Sequence, residues 1–203
     1  MATPSPVRTG PLQPEDWIRA AQMRLSAEGL EGVRVEVLAR DLGASKGSFY
    51  WHFADREELL GKVLAAWEEE EASWLEAAIR GVHSAASRWA RLVDRSGSPD
   101  RLRMEAAMRA WARNEPGIAK KIATLEHKRG AYIASVLREI GFNEAAAATW
   151  SELVILVYLG WLDRATRDAD FPAAGRGLGE CLSEMILAAS AQTSSGALPA
   201  SNS

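Results

Sequence analysis

The stretch LARDLGASKGSFYWHF, residues 38–53, decides the fold of the first third of the chain. It predicts one helix over residues 35–42 and a second over residues 46–53, separated by a tight turn. Gly43 accepts the positive φ that a helix C-terminus favours, and Ser45 can cap the second helix by accepting from its first backbone N–H groups. Two short helices joined by a glycine-containing turn form a helix-turn-helix.

The second helix of this motif carries side chains that suit the recognition of DNA. The major groove admits an α-helix, whose N-terminal residues usually reach the base edges. Ser45, Lys46 and Ser48 are therefore the candidate base readers. Gly47 would let the backbone approach DNA closely, and Trp51 can contact thymine methyl groups.

Longer polar side chains near the end of this helix suit the phosphate backbone. Tyr50, His52 and Arg56 can reach phosphate oxygens, which fix the register of a protein on DNA. The alternative is that the aromatic residues only fill a small core. We favour the core for Phe49 and Phe53, and DNA contact for the other aromatic residues of the helix.

Composition and charge constrain the class of protein. The chain has 203 residues, of which 47% are hydrophobic and 25% are charged, typical of a soluble protein. A single cysteine, Cys181, excludes an intramolecular disulfide framework and favours the cytoplasm. The N-terminus lacks the apolar segment of a signal peptide. The longest apolar run, residues 153–162, is shorter than the roughly 20 residues that span a bilayer, so we expect no membrane partner.

The net charge does not by itself favour nucleic acid. The formal net charge is −3, and residues 1–62 contain eight lysines and arginines against nine acidic residues. A strongly basic domain would have supported DNA binding independently. The case for DNA therefore depends on where individual cations lie.

The residues GASKGSFYWHFADREEL, 43–59, resemble the DNA-binding domain of the TetR family of transcriptional repressors. The matching features are a Ser-Lys-Gly-Ser start, an aromatic–Tyr–aromatic–His–Phe end, and a basic residue before Glu-Glu-Leu. The resemblance covers residues 24–67, roughly the first third of the chain. It implies a homodimer built through the last two helices, which binds a palindromic operator in double-stranded DNA and is released by a small-molecule effector.

The resemblance also assigns residues to the DNA surface and shows one departure. Arg56 takes the place of the family's usual phosphate-contacting lysine. Arg34 stands where the family commonly has a Thr or Ser that caps the second helix, so either that helix lacks its cap or Arg34 reaches the phosphate itself. The complete predicted DNA-binding set is Arg34, Ser45, Lys46, Gly47, Ser48, Tyr50, Trp51, His52 and Arg56.

Helical periodicity continues to the end of the chain, without any useful stretch of period two. The sequence predicts an all-α protein of about nine helices. A disordered arm covers residues 1–13 and a helix-turn-helix DNA-binding domain covers 14–60. A helical ligand-binding and dimerisation domain covers 61–191, and a disordered tail covers 192–203.

Large aromatic and methionine side chains lie on the inward faces of the second domain. For any single one of them, a place in the core is the preferred interpretation. The alternative is the wall of a ligand cavity between helices, an interpretation that the family resemblance strengthens. Few charged residues fall on these faces, and the acidic run 68–71 predicts a solvated surface. We therefore expect a small, mostly apolar ligand, with no metal and no cofactor. The candidate ligand-binding residues are Trp67, Trp74, Trp89, Met104, Met108, Trp111 and Trp150.

The helix predicted from Glu144 to about Thr166 is apolar on every side, so it must be covered on every side. In a chain of this size, a second subunit is the simplest cover for the outer side. The candidate dimer residues are Tyr158, Trp161, Leu162, Leu178, Leu182, Met185 and Ile186.

These features predict a dimeric, ligand-responsive transcriptional repressor. One alternative is a ligand-independent DNA-binding or interaction protein, in which the tryptophan-rich faces are only core. Another is an all-α enzyme, for which the sequence contains no catalytic constellation that we recognise.

Overall fold

The computed structural model describes residues 11–80, 84–168 and 179–190, and all regular structure within them is helical. The predicted all-α class is confirmed. Most of the predicted arm and all of the predicted tail lie outside the described residues. The elements are α1 (Pro14–Glu28), a 3-10 helix (Leu30–Gly32), α2 (Val35–Asp41), α3 (Lys46–Tyr50), α4 (Arg56–Arg80), α5 (Ala85–Ser96), α6 (Pro99–Ala112), α7 (Pro116–Ile140), α8 (Glu144–Ala165) and α9 (residues 179–190).

The chain divides into two compact units, Met1–Trp67 and Glu68–Ser203. Helices α1 to α3 belong to the first unit and α5 to α9 to the second. Helix α4 contributes its first half to the first unit and its second half to the second.

The core of the first unit is built around Phe49, the only fully buried side chain of α3. The Phe49 ring meets Trp17 of α1 edge to face, with a centroid distance of 5.4 Å, and stacks on Phe53 at 5.3 Å. Leu38 of α2 is also fully buried. Phe49 and Phe53 are therefore core residues, as predicted.

The turn between α2 and α3 follows the expected chemistry. Gly43 has φ of +63°, in the left-handed region that favours glycine. The hydroxyl oxygen of Ser45 accepts a hydrogen bond from the backbone N–H of Ser48 at 3.2 Å, which caps α3. These two residues set the direction in which α3 leaves the turn.

Helix α3 is shorter than predicted, because it ends at Tyr50 and not at Phe53. Trp51 and His52 lie in a turn, where the N–H of His52 bonds to the carbonyl of Phe49 at 2.9 Å. This three-residue spacing tightens the end of the helix. The chain can then enter α4 within a few residues.

Helix α4 begins with a carboxylate cap at Asp55. Asp55 accepts from the backbone N–H of Glu58 at 2.8 Å, and the Glu58 carboxylate accepts from the N–H of Ala54 at 2.8 Å. Two donors at the helix start are thus satisfied reciprocally, in the manner of a capping box.

The second unit is organised around α7, which packs against α5, α6 and α8. Its buried face carries Tyr132, Ile133, Val136 and Leu137. This face shares one hydrophobic cluster with residues of α5, α8 and α9. The cluster surrounds the cavities described below.

Helix α8 starts at Asn143, whose side chain accepts from the N–H of Ala146 at 2.9 Å. It is long and apolar enough to cross a membrane by length and composition, with a mean hydropathy of 1.5 in its most apolar window, of which 28% is buried within this chain. Val154 faces the core, whereas Leu153 and Leu156 remain 40% and 57% exposed. Among the described residues, apolar side chains therefore stay exposed on the outer side of α8.

Candidate functional site

The exposed side of α3 and the turn after it form one candidate site, which we call the reading surface: Lys46, Gly47, Ser48, Tyr50 and Trp51. Tyr50 is 59% exposed and Trp51 is 88% exposed, in contrast to the fully buried Phe49. Large apolar side chains left in water on a structured element typically mark a binding surface. Here they lie beside the exposed Lys46.

Lys46 is ion-paired in this structure. Its ammonium group donates to the carboxylate of Glu36 on α2, and the hydrogen bond and positive charge of Lys46 lower the pKa of Glu36. Both side chains are more than half exposed. A phosphate or base edge that binds Lys46 must therefore compete with Glu36.

Gly47 is a glycine that the fold does not require. A Cβ built at this position would meet only the hydroxyl oxygen of Ser45, at 3.5 Å, which is an ordinary contact. Its position on the exposed side of α3 leaves the backbone accessible. Internal packing therefore does not require a glycine at this position.

The two predicted phosphate-binding arginines lie in different settings. Arg34 is exposed at the N-cap of α2 and makes no side-chain cap hydrogen bond, so α2 lacks its usual cap. Arg56 donates from Nε to the carbonyl of Val33 at 2.6 Å and from a terminal nitrogen to that of Leu30 at 2.7 Å. Arg56 thus holds the segment before α2 to the start of α4.

A second brace joins α1 to α2. The Arg24 guanidinium donates to both carboxylate oxygens of Asp41, at 2.6 and 2.7 Å, and this pairing lowers the pKa of Asp41. Bidentate arginine–carboxylate pairs fix relative orientation. The helix-turn-helix is therefore held at both of its ends. Ser45 serves as a cap, and His52 is half-buried beside Phe53.

The second unit contains a large cavity of about 940 Å³ bordered by α5, α8 and α9. Trp89 lies in its wall, and the indole nitrogen of Trp89 donates to the hydroxyl of Ser183 at 2.8 Å. Trp74 lines a smaller neighbouring cavity. The remaining predicted ligand residues line neither of these two cavities: Trp67, Met104, Met108, Trp111 and Trp150.

Most residues predicted for a dimer interface instead lie inside the second unit. Four of them line the large cavity: Tyr158, Trp161, Leu182 and Ile186. Leu162 is 3% exposed and packs in a small cluster with Trp161 and Leu102. Met185 is 52% exposed, and Leu178 is outside the described residues.

The smaller cavity, of about 60 Å³, borders a buried ion cluster that links α4, α5, α6 and α7. Its centre is Arg129, which contacts Glu71 at 2.6 Å and Glu105 at 2.9 Å. Arg95 also binds Glu71, at 2.8 Å. The other contacts are Arg101 to Glu71 and Glu105, and Arg109 to Glu105 and Glu126.

The arginines determine the ionisation of the two buried carboxylates, whose side chains are only 4% and 1% exposed. Burial alone would raise the pKa of Glu105, but the positive charge and hydrogen bonds of Arg129, helped by Arg101, lower it to about 2. The pKa of Glu71 is lowered on balance in the same way. Both carboxylates are therefore charged at neutral pH.

This cluster contradicts the expectation that few charged residues lie on inward faces. Glu71 belongs to the acidic run 68–71, for which we predicted a solvated surface, but it is only 3% exposed. A signal was available, because Glu71 continues the apolar stripe of α4 at helical spacing between Trp67 and Trp74. Arg129 likewise occupies the stripe of α7 between Leu125 and Tyr132.

Comparisons with known proteins agree with this architecture. Residues 18–63 match the family model described as bacterial regulatory proteins, tetR family. A transcriptional regulator from Rhodococcus sp. Rha1 is similar with a TM-score of 0.70 and 22% identity over 88% of this chain and 97% of the other. A putative transcriptional regulator from Saccharomonospora viridis, in complex with choline, is similar with a TM-score of 0.72 and 17% identity, over 85% of this chain and 94% of the other.

A TetR transcription regulator from Haloarcula marismortui is also similar, with a TM-score of 0.66 and 15% identity over 85% of this chain and 96% of the other. No curated protein matches the sequence. These identities show a shared fold, whereas the family match is confined to the first unit.

Proposed function

We propose that this chain, a transcriptional regulator whose N-terminal unit is a DNA-binding domain of the tetR family, is a homodimeric repressor of the cytoplasm. It binds a palindromic operator in double-stranded DNA, and a small molecule bound in the second unit releases it. The proposal assigns no enzymatic activity to the chain.

One observation carries the DNA-binding part: Tyr50 of α3 and Trp51 of the turn after it are exposed beside Lys46, whereas Phe49 is buried in the core. Phe49 is the one buried residue of α3, and its other four residues are exposed or half-buried, which is the arrangement that a base-reading helix requires. Ser45, Lys46 and Ser48 read base edges in this proposal. Gly47 allows close approach of the backbone.

The remaining predicted residues position the protein on the sugar-phosphate backbone. Tyr50, His52 and Arg34 contact phosphate oxygens, and Trp51 packs on thymine methyl groups. Arg56 contributes indirectly, since its guanidinium already bonds to the carbonyls of Leu30 and Val33. It supports the loop that presents Arg34.

The dimer in this proposal forms through α8 and α9. The exposed Leu153 and Leu156 on α8 and Met185 on α9 are apolar side chains that a second copy would cover. A dimer with two-fold symmetry places two reading surfaces on successive major grooves, about 34–36 Å apart. A palindromic operator is the corresponding DNA.

The ligand response depends on the cavities of the second unit. The large cavity is within the size range of small-molecule sites, and a protein of similar fold was solved with choline. A ligand releases DNA only to the extent that it binds the DNA-incompatible state more tightly. The relevant change is in the spacing of the two reading surfaces.

The decisive experiment is footprinting of the purified protein on the DNA that flanks its own gene. We expect protection of a palindromic site, with a sequence-specific mobility shift at moderate salt. Absence of any sequence-specific shift, with a dimer confirmed by light scattering, would contradict the repressor function. A shift that no small molecule reverses would favour ligand-independent DNA binding.

A further inference from the structure

We infer that Glu36 of α2 is a specificity-determining residue, whose carboxylate and the ammonium group of Lys46 together read one G·C base pair in each half of the operator. The inference rests on the proposed function, in which Lys46 reads a base edge. It adds a residue of α2 to the DNA-reading set and names the base pair that this residue recognises.

The two side chains meet across the turn of the helix-turn-helix. Glu36 lies ten positions before Lys46, and its carboxylate accepts a hydrogen bond from the Lys46 ammonium group. The side chains of Lys46 and Glu36 are 55% and 61% exposed. Both polar groups therefore lie open on one surface, so that a base edge that contacts Lys46 also meets Glu36.

Both groups keep unused hydrogen-bonding capacity after they pair. An ammonium group has three N–H donors, and an ionised carboxylate only accepts, through two oxygens. Lys46 lowers the pKa of Glu36, so this carboxylate is ionised at neutral pH. Neither side chain has another hydrogen-bond partner among the described residues. The pair thus presents free donors directly beside free acceptors.

A phosphate group is a poor partner for this pair. Phosphate oxygens only accept hydrogen bonds, and a carboxylate within hydrogen-bond distance of Lys46 repels any phosphate that Lys46 would bind. The edges of bases in the major groove carry amino donors as well as acceptors. A donor that reaches Glu36 offsets the repulsion, so the pair favours a base edge over the DNA backbone.

The major-groove edge of a G·C base pair matches the pair group by group. Guanine presents the acceptors N7 and O6, and cytosine presents the amino group of N4 beside them. O6 and N4 are hydrogen-bonded to each other and lie roughly 2.9 Å apart, a spacing similar to that of a hydrogen-bonded ammonium and carboxylate. Lys46 can donate to guanine while Glu36 accepts the second N4 proton, and the bond between the two side chains need not break.

An A·T base pair offers a less favourable pattern. Its only amino donor, at adenine N6, lies between two acceptors, adenine N7 and thymine O4, and the thymine methyl group lies beyond O4. A carboxylate placed on N6 is therefore repelled by an acceptor on either side. Lys46 also finds no two adjacent acceptors there. The pair should distinguish G·C from A·T by about tenfold in affinity.

The experiment is selection of binding sites from a random-sequence DNA library by the full-length protein, followed by fluorescence anisotropy on the selected site. We expect each half-site to contain one G·C base pair whose replacement by A·T weakens wild-type binding by about tenfold. Selection of A·T base pairs at every position that depends on Lys46 would overturn the inference.

Two substitutions of Glu36 test the role of its carboxylate. Glu36→Ala removes the acceptor and should reduce the discrimination at this base pair to about threefold or less, chiefly because the A·T site is bound more tightly. Glu36→Gln should shift the preference towards A·T, since glutamine pairs with adenine N6 and N7. Unchanged discrimination in both variants would overturn the inference.

Joint reading requires that both partners act on the same base pair. Lys46→Gln should relax the preference at the base pair that Glu36→Ala relaxes and leave the others unchanged. Relaxation at two different base pairs would contradict a joint contact. Glu36 is exposed, so thermal unfolding of its variants should match that of the wild type, which excludes loss of folding as the cause.

A matched control removes the same charge elsewhere in the first unit. Glu15 is exposed in the first turn of α1. Glu15→Ala changes the net charge as Glu36→Ala does, but it should leave every base preference unchanged. Relaxation of the same base pair by Glu15→Ala would show a general effect of charge and overturn the role of Glu36.

The outcomes separate this inference from the proposed function. If the wild-type protein stays a folded dimer but selects no sequence, the proposed function fails and the inference fails with it. If the protein selects a palindromic site but no substitution of Glu36 alters a base preference, the proposed function stands and joint reading by Glu36 and Lys46 is wrong.

Discussion

The ammonium group of Lys46 on α3 and the carboxylate of Glu36 on α2 form an ion pair on the reading surface. If Lys46 contacts DNA as proposed, Glu36 of α2 competes with the DNA for the ammonium group of Lys46. Exposed pairs of this kind are worth up to about 1 kcal/mol. Substitutions of either residue should therefore change DNA affinity with little effect on the free energy of unfolding.

Replacing the two partners should have opposite effects on DNA affinity. Lys46→Gln should weaken binding and reduce the salt slope of log K by about one if Lys46 contacts a phosphate. Glu36→Gln should tighten binding by about two- to fivefold, since it releases Lys46 and removes a negative charge. Fluorescence anisotropy over a series of salt concentrations measures both effects, with Lys120→Gln, at an exposed position of α7, as the control. Weaker binding by Glu36→Gln would contradict the competition between Glu36 and DNA.

Gly47→Ala should separate folding from DNA approach. The added methyl group meets only the Ser45 hydroxyl, at 3.5 Å, and alanine favours a helix by roughly 1 kcal/mol over glycine. We expect unchanged or higher stability in thermal unfolding and clearly weaker operator binding in mobility shifts. Full DNA affinity would show that the backbone at this position does not approach DNA.

Trp51→Ala and Phe49→Ala form a matched pair of aromatic truncations. Trp51 is 88% exposed, so its loss should change the free energy of unfolding by less than about 0.5 kcal/mol while abolishing specific DNA binding. Phe49 is fully buried, and its loss should cost about 3–5 kcal/mol. Urea unfolding and mobility shifts distinguish the two. Retention of specific binding by Trp51→Ala would remove this residue from the interface.

Acid should weaken the second unit through Glu105. Its pKa falls from 4.5 to about 2 on folding. The ionised carboxylate therefore stabilises the folded state fully above about pH 4.5, and this stabilisation is lost as the pH falls towards 2. The full contribution is about 3 kcal/mol. The stability difference between the wild-type protein and Glu105→Gln should therefore narrow by about 2 kcal/mol between pH 5 and pH 3, measured by urea unfolding. The exposed Glu76→Gln is the control, and a constant difference would contradict the role of Glu105.

Leu156→Arg should disrupt the dimer without unfolding the chain. Leu156 is 57% exposed on the outer side of α8, so a charged side chain is tolerated there in the isolated chain but not under a second copy. Light scattering should give a monomer with normal helix content. Met23→Arg, at a 68% exposed position on α1, should remain dimeric. An unchanged dimer with Leu156→Arg would place the interface elsewhere.

The first unit could be predicted closely because its signals are local. Ser45 and Asp55 are caps whose hydrogen bonds join residues three positions apart, so the starts of α3 and α4 follow from local sequence. The end of α3, at Tyr50 and not Phe53, did not. The role of Arg56 could not be predicted in this way. Its guanidinium bonds to carbonyls 23 and 26 residues earlier, a relation that only the fold creates.

The second unit was less predictable because helical periodicity identifies a face but not its partner. Trp161 was assigned to an outer, dimer-forming side, yet it is 8% exposed within its own chain. Glu71 and Arg129 compensate each other across 58 residues. The acidic run 68–71 was predicted to be solvated, but Glu71 pairs with Arg129 in a buried cluster that neither helix shows by itself.

Helix α3 buries Phe49 and exposes most of its other residues, which has a consequence for engineering. Phe49 is the one buried residue among the five of α3, and the Ser45 cap precedes the first residue of the helix. Sequence preference can therefore be altered at neighbouring exposed positions without destabilising the scaffold. A five-residue helix is also too short to persist by itself in water. Operator preference should be transferable by point substitutions, whereas a peptide excised from this region should not retain it.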